Sequence, residues 1–298
     1  MTVPPNTRVE SLRGHAAMLL FSLLVAGSFS LGVRAANLID PAAISAARLA
    51  LAAGILGGIV LAGPGLSRSA FREPWRFLIV GGLFAFYFVL MFDGLKTAPA
   101  VSASAVFTLT PVLSAGFGWW LMRQRTTGRM ALALTLGAGG ALWVIFRGDL
   151  AAMARLELGR GEAIYLVGCV AHALYTPMVR HLNRGERPLT FAFGTLAGAA
   201  LVLAVWGGPA IAATPWVSLP AIVWITLIYL AVFASAATTV LLQFSAMRLP
   251  AAKVMAYTYL IPAWVIVLES TSGQGFPGLI VLPGVLATIG ALLLLLRD

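Results

Sequence analysis

The chain has 298 residues, 60% of them hydrophobic and 10% charged, with a mean hydropathy of +0.94, whereas about 25% charged residues is normal for a soluble domain. That excludes a soluble enzyme, and ten bilayer crossings of about 20 apolar residues each would use roughly 200 positions and leave no room for a second, extramembrane domain. The formal charge of +10 invites a nucleic-acid partner, but the placement of the basic residues gives it another meaning.

Taken in chain order, residues 1–14 read as a polar tail with Arg8 and Arg13. The apolar run that follows exceeds a signal-peptide core of about 7–15 residues, so it is expected to stay as an uncleaved first helix. Charged or Pro/Gly-marked breaks then divide the chain into ten apolar stretches, near residues 15–33, 41–62, 75–95, 99–122, 129–147, 160–180, 189–206, 219–244, 250–269 and 275–296. The spacing predicts a first repeat over 15–147, an extracytoplasmic linker over 148–159 and a second repeat over 160–298. The fold class expected is all-α and integral to the membrane.

Cytoplasmic loops of membrane proteins are enriched in Lys and Arg. The set of loops that includes the N-terminus holds fourteen of the 20 basic residues (Arg8, Arg13, Arg68, Arg72, Arg76, Arg123, Arg125, Arg129, Arg180, Arg184, Arg187, Arg248, Lys253 and Arg297), and the opposite set holds five. Both termini are therefore expected in the cytoplasm, with no nucleic acid needed to explain the charge. The remaining basic residue, Arg48, lies inside the second span, where its long side chain is expected to snorkel outward or to pair with Asp40.

The halves repeat. Phe92-Asp-Gly-Leu95-Lys96 parallels Phe244-Ser-Ala-Met247-Arg248, Pro99 and Pro111 stand 12 positions apart as do Pro250 and Pro262, and Gly139 matches Gly290 at the same offset. Five spans per half is an odd number, so the second copy is expected upside down. Inverted repeats are the architecture of secondary transporters, with the site near the bilayer midplane between the halves. Pro111 and Pro262 fall about halfway along the fourth and ninth spans, where a missing donor should kink both helices beside protein or a watery cavity that satisfies the freed carbonyls.

Polar groups inside spans usually face the bundle interior. The candidates for a cavity wall are Ser28, Phe84, Tyr87, Phe107, Thr110, His172, Tyr175, Thr239 and Tyr257. Phe107 with Thr110, and His172 with Tyr175, share helix faces by their spacing. The Gly54/Gly58 and Gly194/Gly198 pairs suggest close helix packing. No Asp or Glu stands at the centre of any span, so movement down a gradient is the simpler expectation, with His172 the sole basis for proton coupling. Three histidines and one cysteine, Cys169, offer no metal spacing, and neither a cofactor nor an enzyme activity is expected.

With ten spans in two inverted halves, Ala26-Gly-Ser-Phe29 in the first span, Arg48 in the second, the Phe92–Lys96 turn, and the Thr-Leu-Thr-Pro111 and Tyr-Leu-Ile-Pro262 stretches, the chain resembles the drug/metabolite transporter superfamily in its EamA-type exporter branch. Within that branch it looks most like the YddG-type amino-acid exporters. The resemblance implies a bacterial inner-membrane exporter of aromatic and other neutral amino acids, with a central cavity lined by the first, third, fourth, sixth, eighth and ninth spans. The alternative it leaves is an exporter of drugs or other small metabolites, proton-coupled or not. The chain departs from the branch at Met122-Arg-Gln124-Arg, which lacks the usual acid, and at His172, where the branch often has Trp.

Overall fold

A computed structural model of the chain describes residues 7–63, 65, 72–123, 126–246, 248–249, 251–273 and 275–296. Residues 1–6, Arg68, Gln124, Arg125, Met247, Pro250 and Arg297 lie outside the described residues, as does the side chain of Arg8. All regular structure among the described residues is helical, and ten helices are long and apolar enough to cross a bilayer. They are α1 Val9–Ala35, α2 Pro41–Ala62, α3 Trp75–Gly94, α4 Ala100–Met122, α5 Gly128–Ile145, α6 Arg160–Leu182, α7 Pro188–Trp206, α8 Ala221–Leu242, α9 Lys253–Thr271 and α10 Leu279–Leu296.

Local chemistry sets several of these boundaries. Asp40 caps α2, its Oδ1 accepting from the amides of Ala42 (2.7 Å) and Ala43 (3.2 Å), while Pro41 starts the helix where its missing N–H costs nothing. Thr127 caps α5 in the same way through the amide of Met130. The first helix begins earlier than the expected tail allows: it is helical from Thr7. Glu10 explains the difference, because its carboxylate accepts from Arg13 (2.6 Å) and from Arg248 (2.7 Å) in the α8–α9 connection, and an acidic residue in a first turn suits the helix dipole.

Packing follows the duplication. Helix α1 lies against α8 and α9, as α6 lies against α3 and α4; α2 meets α8 as α7 meets α3; and α2–α7, α4–α9 and α5–α10 pair across the seam. Exchanging each helix for the one five later therefore reproduces the arrangement, and because successive crossings alternate in direction, the exchanged helices run oppositely. The α5–α10 crossing is made at Gly140 and Gly284, each of which leaves no room for a Cβ against the other's carbonyl. Of the pair matched by sequence offset, Gly139 faces open space and Gly290 lies in ordinary contact range of the Leu136 side chain of α5, so neither makes the close crossing. Gly194 and Gly198 do pack closely, against the Phe77 ring and backbone of α3, but Gly54 and Gly58 face open space; in α2 the glycine in close contact is Gly57, under the Phe193 ring.

Candidate functional site

Three helices lose regularity near the middle of the bundle. In α4 the helix stops at Phe107 and resumes at Thr110, with the amides of Thr108 and Leu109 reaching only three residues back. In α9 a 3-10 turn, Tyr257–Leu260, precedes the restart at Ile261. Each interruption sits immediately before a proline, Pro111 or Pro262, whose ring and absent N–H disfavour the preceding turn. Helix α8 departs in the other sense: Val232–Ala237 widen into a π-turn with no proline nearby, a form that recurs at functional sites.

Beside these irregular segments lies a cavity of about 250 Å³, near the lower end of small-ligand pockets. Ser28, Phe84, Tyr87, Phe107, His172, Tyr175 and Thr239 line it. Thr110 and Tyr257 do not. Thr110 is buried beyond the break in α4, and Tyr257 belongs to a separate cluster with Met18 and Ala133, its hydroxyl 2.9 Å from His15 Nδ1. The lining also draws on two helices outside the six expected: α2 through Arg48, and α7 through Phe191, Ala192, Thr195 and Leu196.

One wall is aromatic. Tyr87 and His172 have ring centroids 4.5 Å apart, Phe84 stacks on Tyr175 at 5.0 Å, and Phe107 lies 5.6 Å from His172, within the range where offset and tilted pairs attract. Behind this wall Tyr87 shares a 2.9 Å hydrogen bond with the hydroxyl of fully buried Tyr165. The opposite wall is hydroxylic. Ser28, Thr238, Thr239 and Thr258 all donate to carbonyls of their own helices, the local bond that lets such residues sit within a span.

The cavity reaches Val179 and Phe191, close to the bundle end that carries the chain termini. Toward the other end it stops at Arg48 and Met91, beyond which Phe29, Phe92, Leu95 and Tyr165 are packed to at most 1% exposure. That sealed end is also tied by Ser102, which donates to Glu162 at 2.8 Å between α4 and α6, and by Asn37 of the α1–α2 connection, which donates to the Lys96 carbonyl at 3.1 Å.

Arg48 is neither snorkelling nor paired with Asp40, which is engaged in capping α2. It is 2% exposed, its guanidinium lies 3.6 Å from the Phe88 ring centre, Nε donates to Ser235 Oγ at 2.9 Å and Nη2 to the Ala234 carbonyl at 3.2 Å. Both partners lie in the π-turn of α8. A second buried arginine, Arg76, sits at the terminus-bearing end. It donates to the Leu182 carbonyl (2.6 Å) and pairs with Glu186 (2.6 Å), fastening α3 to the α6–α7 connection. Burial raises the Glu186 pKa, but hydrogen bonds from Arg76 and the Arg184 amide outweigh it, and the carboxyl is held below its usual range. Sequence reasoning counted Arg76 only as a loop charge and passed over Tyr165 and the π-turn.

Comparison with known proteins fits this architecture. The model of the EamA-like transporter family matches twice, over residues 12–146 and 159–296. Over 287 residues the chain is 24% identical to the uncharacterized transporter YyaM of Bacillus subtilis (strain 168), covering 95% of this chain and 94% of the relative. A protein of known crystal structure, 22% identical, superposes with a TM-score of 0.67 over 97% of both chains, which shows a shared fold.

Proposed function

The chain belongs to the EamA-like transporter family of the drug/metabolite transporter superfamily, and from that premise we propose that it exports amino acids with aromatic and other neutral side chains from a bacterial cytoplasm. It works by alternating access through the central cavity, facilitatively, in the inner membrane with both termini cytoplasmic. The observation that carries this reading is the cavity itself. It lies on the seam between the inverted halves, takes a small organic solute by volume, and sets aromatic rings opposite hydroxyls. Rings accept an apolar or aromatic side chain, and hydroxyl oxygens accept hydrogen bonds from an ammonium group.

Among the described lining residues there is no Asp or Glu. Nucleotide sugars would call for a basic cluster and organic cations for a carboxylate, so neutral amino acids suit the wall better than either. The missing carboxylate also favours uncoupled movement, because it leaves His172 as the one lining residue of the acidic or histidine kind from which membrane proton relays are built, among the described residues. The sealed end and the open, terminus-bearing end describe one of the two states that rocking halves exchange.

Counterflow of radiolabelled phenylalanine, methionine and threonine in proteoliposomes tests the reading. Exchange of several neutral amino acids is expected, and no exchange with any of them overturns it. A pH step imposed on the same vesicles tests the facilitative claim, which concentrative uptake driven by the step alone defeats.

A further inference from the structure

Resting on the amino-acid reading, we propose that Arg48 is the residue that binds the substrate's carboxylate, so that the protein selects solutes bearing that group. Arg48 is a buried guanidinium on the cavity wall with no carboxylate partner: none of the ion pairs among the described residues includes it. A guanidinium stays charged, and an isolated buried charge is strongly unfavourable unless something pairs with it. The protein supplies only part of that pairing. Ser235 and the Ala234 carbonyl take Nε and Nη2, and Phe88 covers a face, while Nη1 is buried without a hydrogen-bond partner. The anchored half fixes the orientation of the fork. The free Nη1 is its unused donor, and a planar fork matches a carboxylate better than it matches any other end of an amino acid.

The remaining polar groups of the cavity point to the same division of labour. Six lining residues carry aliphatic hydroxyls: Ser28, Thr176, Thr195, Thr238, Thr239 and Thr258. Each donates its hydrogen to a carbonyl one turn back on its own helix. Their oxygens remain acceptors, which serve an ammonium and repel a carboxylate. Arg48 is the one cationic side chain among the described lining residues. The zwitterion therefore has its charges matched when the carboxylate meets Arg48 of α2 toward the sealed end and the ammonium lies among these hydroxyl oxygens.

The test uses the full-length purified protein and two pairs of probes that differ only at the acid: 3-phenylpropionate against 3-phenylpropanamide, and phenylalanine against phenylalaninamide. Binding is read as a dose-dependent rise in melting temperature in detergent. In the wild type each acid is expected to bind about tenfold or more tighter than its amide, the factor that one charge-assisted hydrogen bond supplies. Arg48→Gln is expected to erase the preference and Arg48→Lys to keep part of it. Because the wild-type comparison needs no variant, poor folding of Arg48→Gln does not remove the test. Equal binding of acids and amides overturns the assignment, as does the absence of binding by either acid. If 3-phenylpropionate binds in preference to its amide but proteoliposomes exchange no amino acid, the amino-acid reading falls while the role of Arg48 stands. If amino acids exchange while acid and amide bind alike, the reverse holds.

Discussion

Glu186 and Arg76 show how a single pair governs one end of the bundle. Both are nearly inaccessible, at 6% and 1% exposure of their side chains. The Glu186 carboxyl is held below its unfolded value, so its contribution is complete above the ordinary carboxylate range and is lost as the pH falls through the folded value. Glu186→Gln is expected to lower stability at neutral pH by about 1–2 kcal/mol, since it removes the closer and more buried of the two carboxylates paired with Arg76 and leaves the half-exposed Glu73, 3.3 Å away, as counter-charge. It should also flatten the loss of stability on acidification, and melting curves between pH 3 and 7 for the two proteins check both points. At the cavity, His172→Ala is expected to weaken counterflow several-fold while the protein stays folded, because the ring contacts Phe84, Tyr87, Phe107 and Tyr175 at once; exchange rates beside melting midpoints measure this. His172, Tyr87 and Phe107 were legible in the sequence as polar or aromatic groups at midspan. The Arg76–Glu186 pair was not, since 110 residues separate its members and only the α3–α6–α7 packing brings them together. Arg48 was visible, but its environment was misread: its partners belong to α8, and the nearby Asp40 is turned to the backbone.

Helix existence was read almost entirely from hydropathy, with α2 and α7 placed to within a residue, because each span is a long apolar run closed by proline, glycine or charge. Departures from regularity divide by cause. The interruptions of α4 and α9 stand next to prolines and left a mark in the sequence, whereas the π-turn Val232–Ala237 is composed of ordinary helix-compatible residues and left none. Glycine packing divides similarly, since a small residue permits a close crossing without requiring one. Gly81 shows where the requirement is real: a Cβ there would run into the backbone of Gly198 and Ala199 on α7, while neighbouring Gly82 faces open space. Gly81→Ala is expected to cost about 2 kcal/mol by forcing α3 and α7 apart, and Gly82→Ala to be neutral or stabilising by up to about 1 kcal/mol through helix propensity. Thermal unfolding of the two variants side by side gives the contrast.

For the molecule as a whole, the duplicated order of spans was legible because odd-numbered repeats invert by counting alone. The state of the cavity was not, because which end closes depends on side chains meeting across the seam. The native cysteine, the single one in the chain, is buried, which makes added thiols useful reporters. Thr239→Cys, on the cavity wall, is expected to react with a membrane-impermeant maleimide supplied from the side of the termini, and Phe29→Cys, in the sealed end, to resist it from either side. Comparing right-side-out with inside-out vesicles then also fixes which side that is. The stitching of α1 to the second half has a consequence for how the protein is made. Glu10 finds Arg248 238 residues later, and the Gly14 carbonyl finds Ser245 231 residues later. At about 5–20 residues per second of translation, the first helix stands in the bilayer for roughly 10–50 s before the segment that holds its amino-terminal turns has left the ribosome. Until then its native contacts are limited to earlier helices, such as Phe107 of α4 beside Phe29, and a nascent chain arrested before the eighth helix leaves that amino-terminal segment without its anchor.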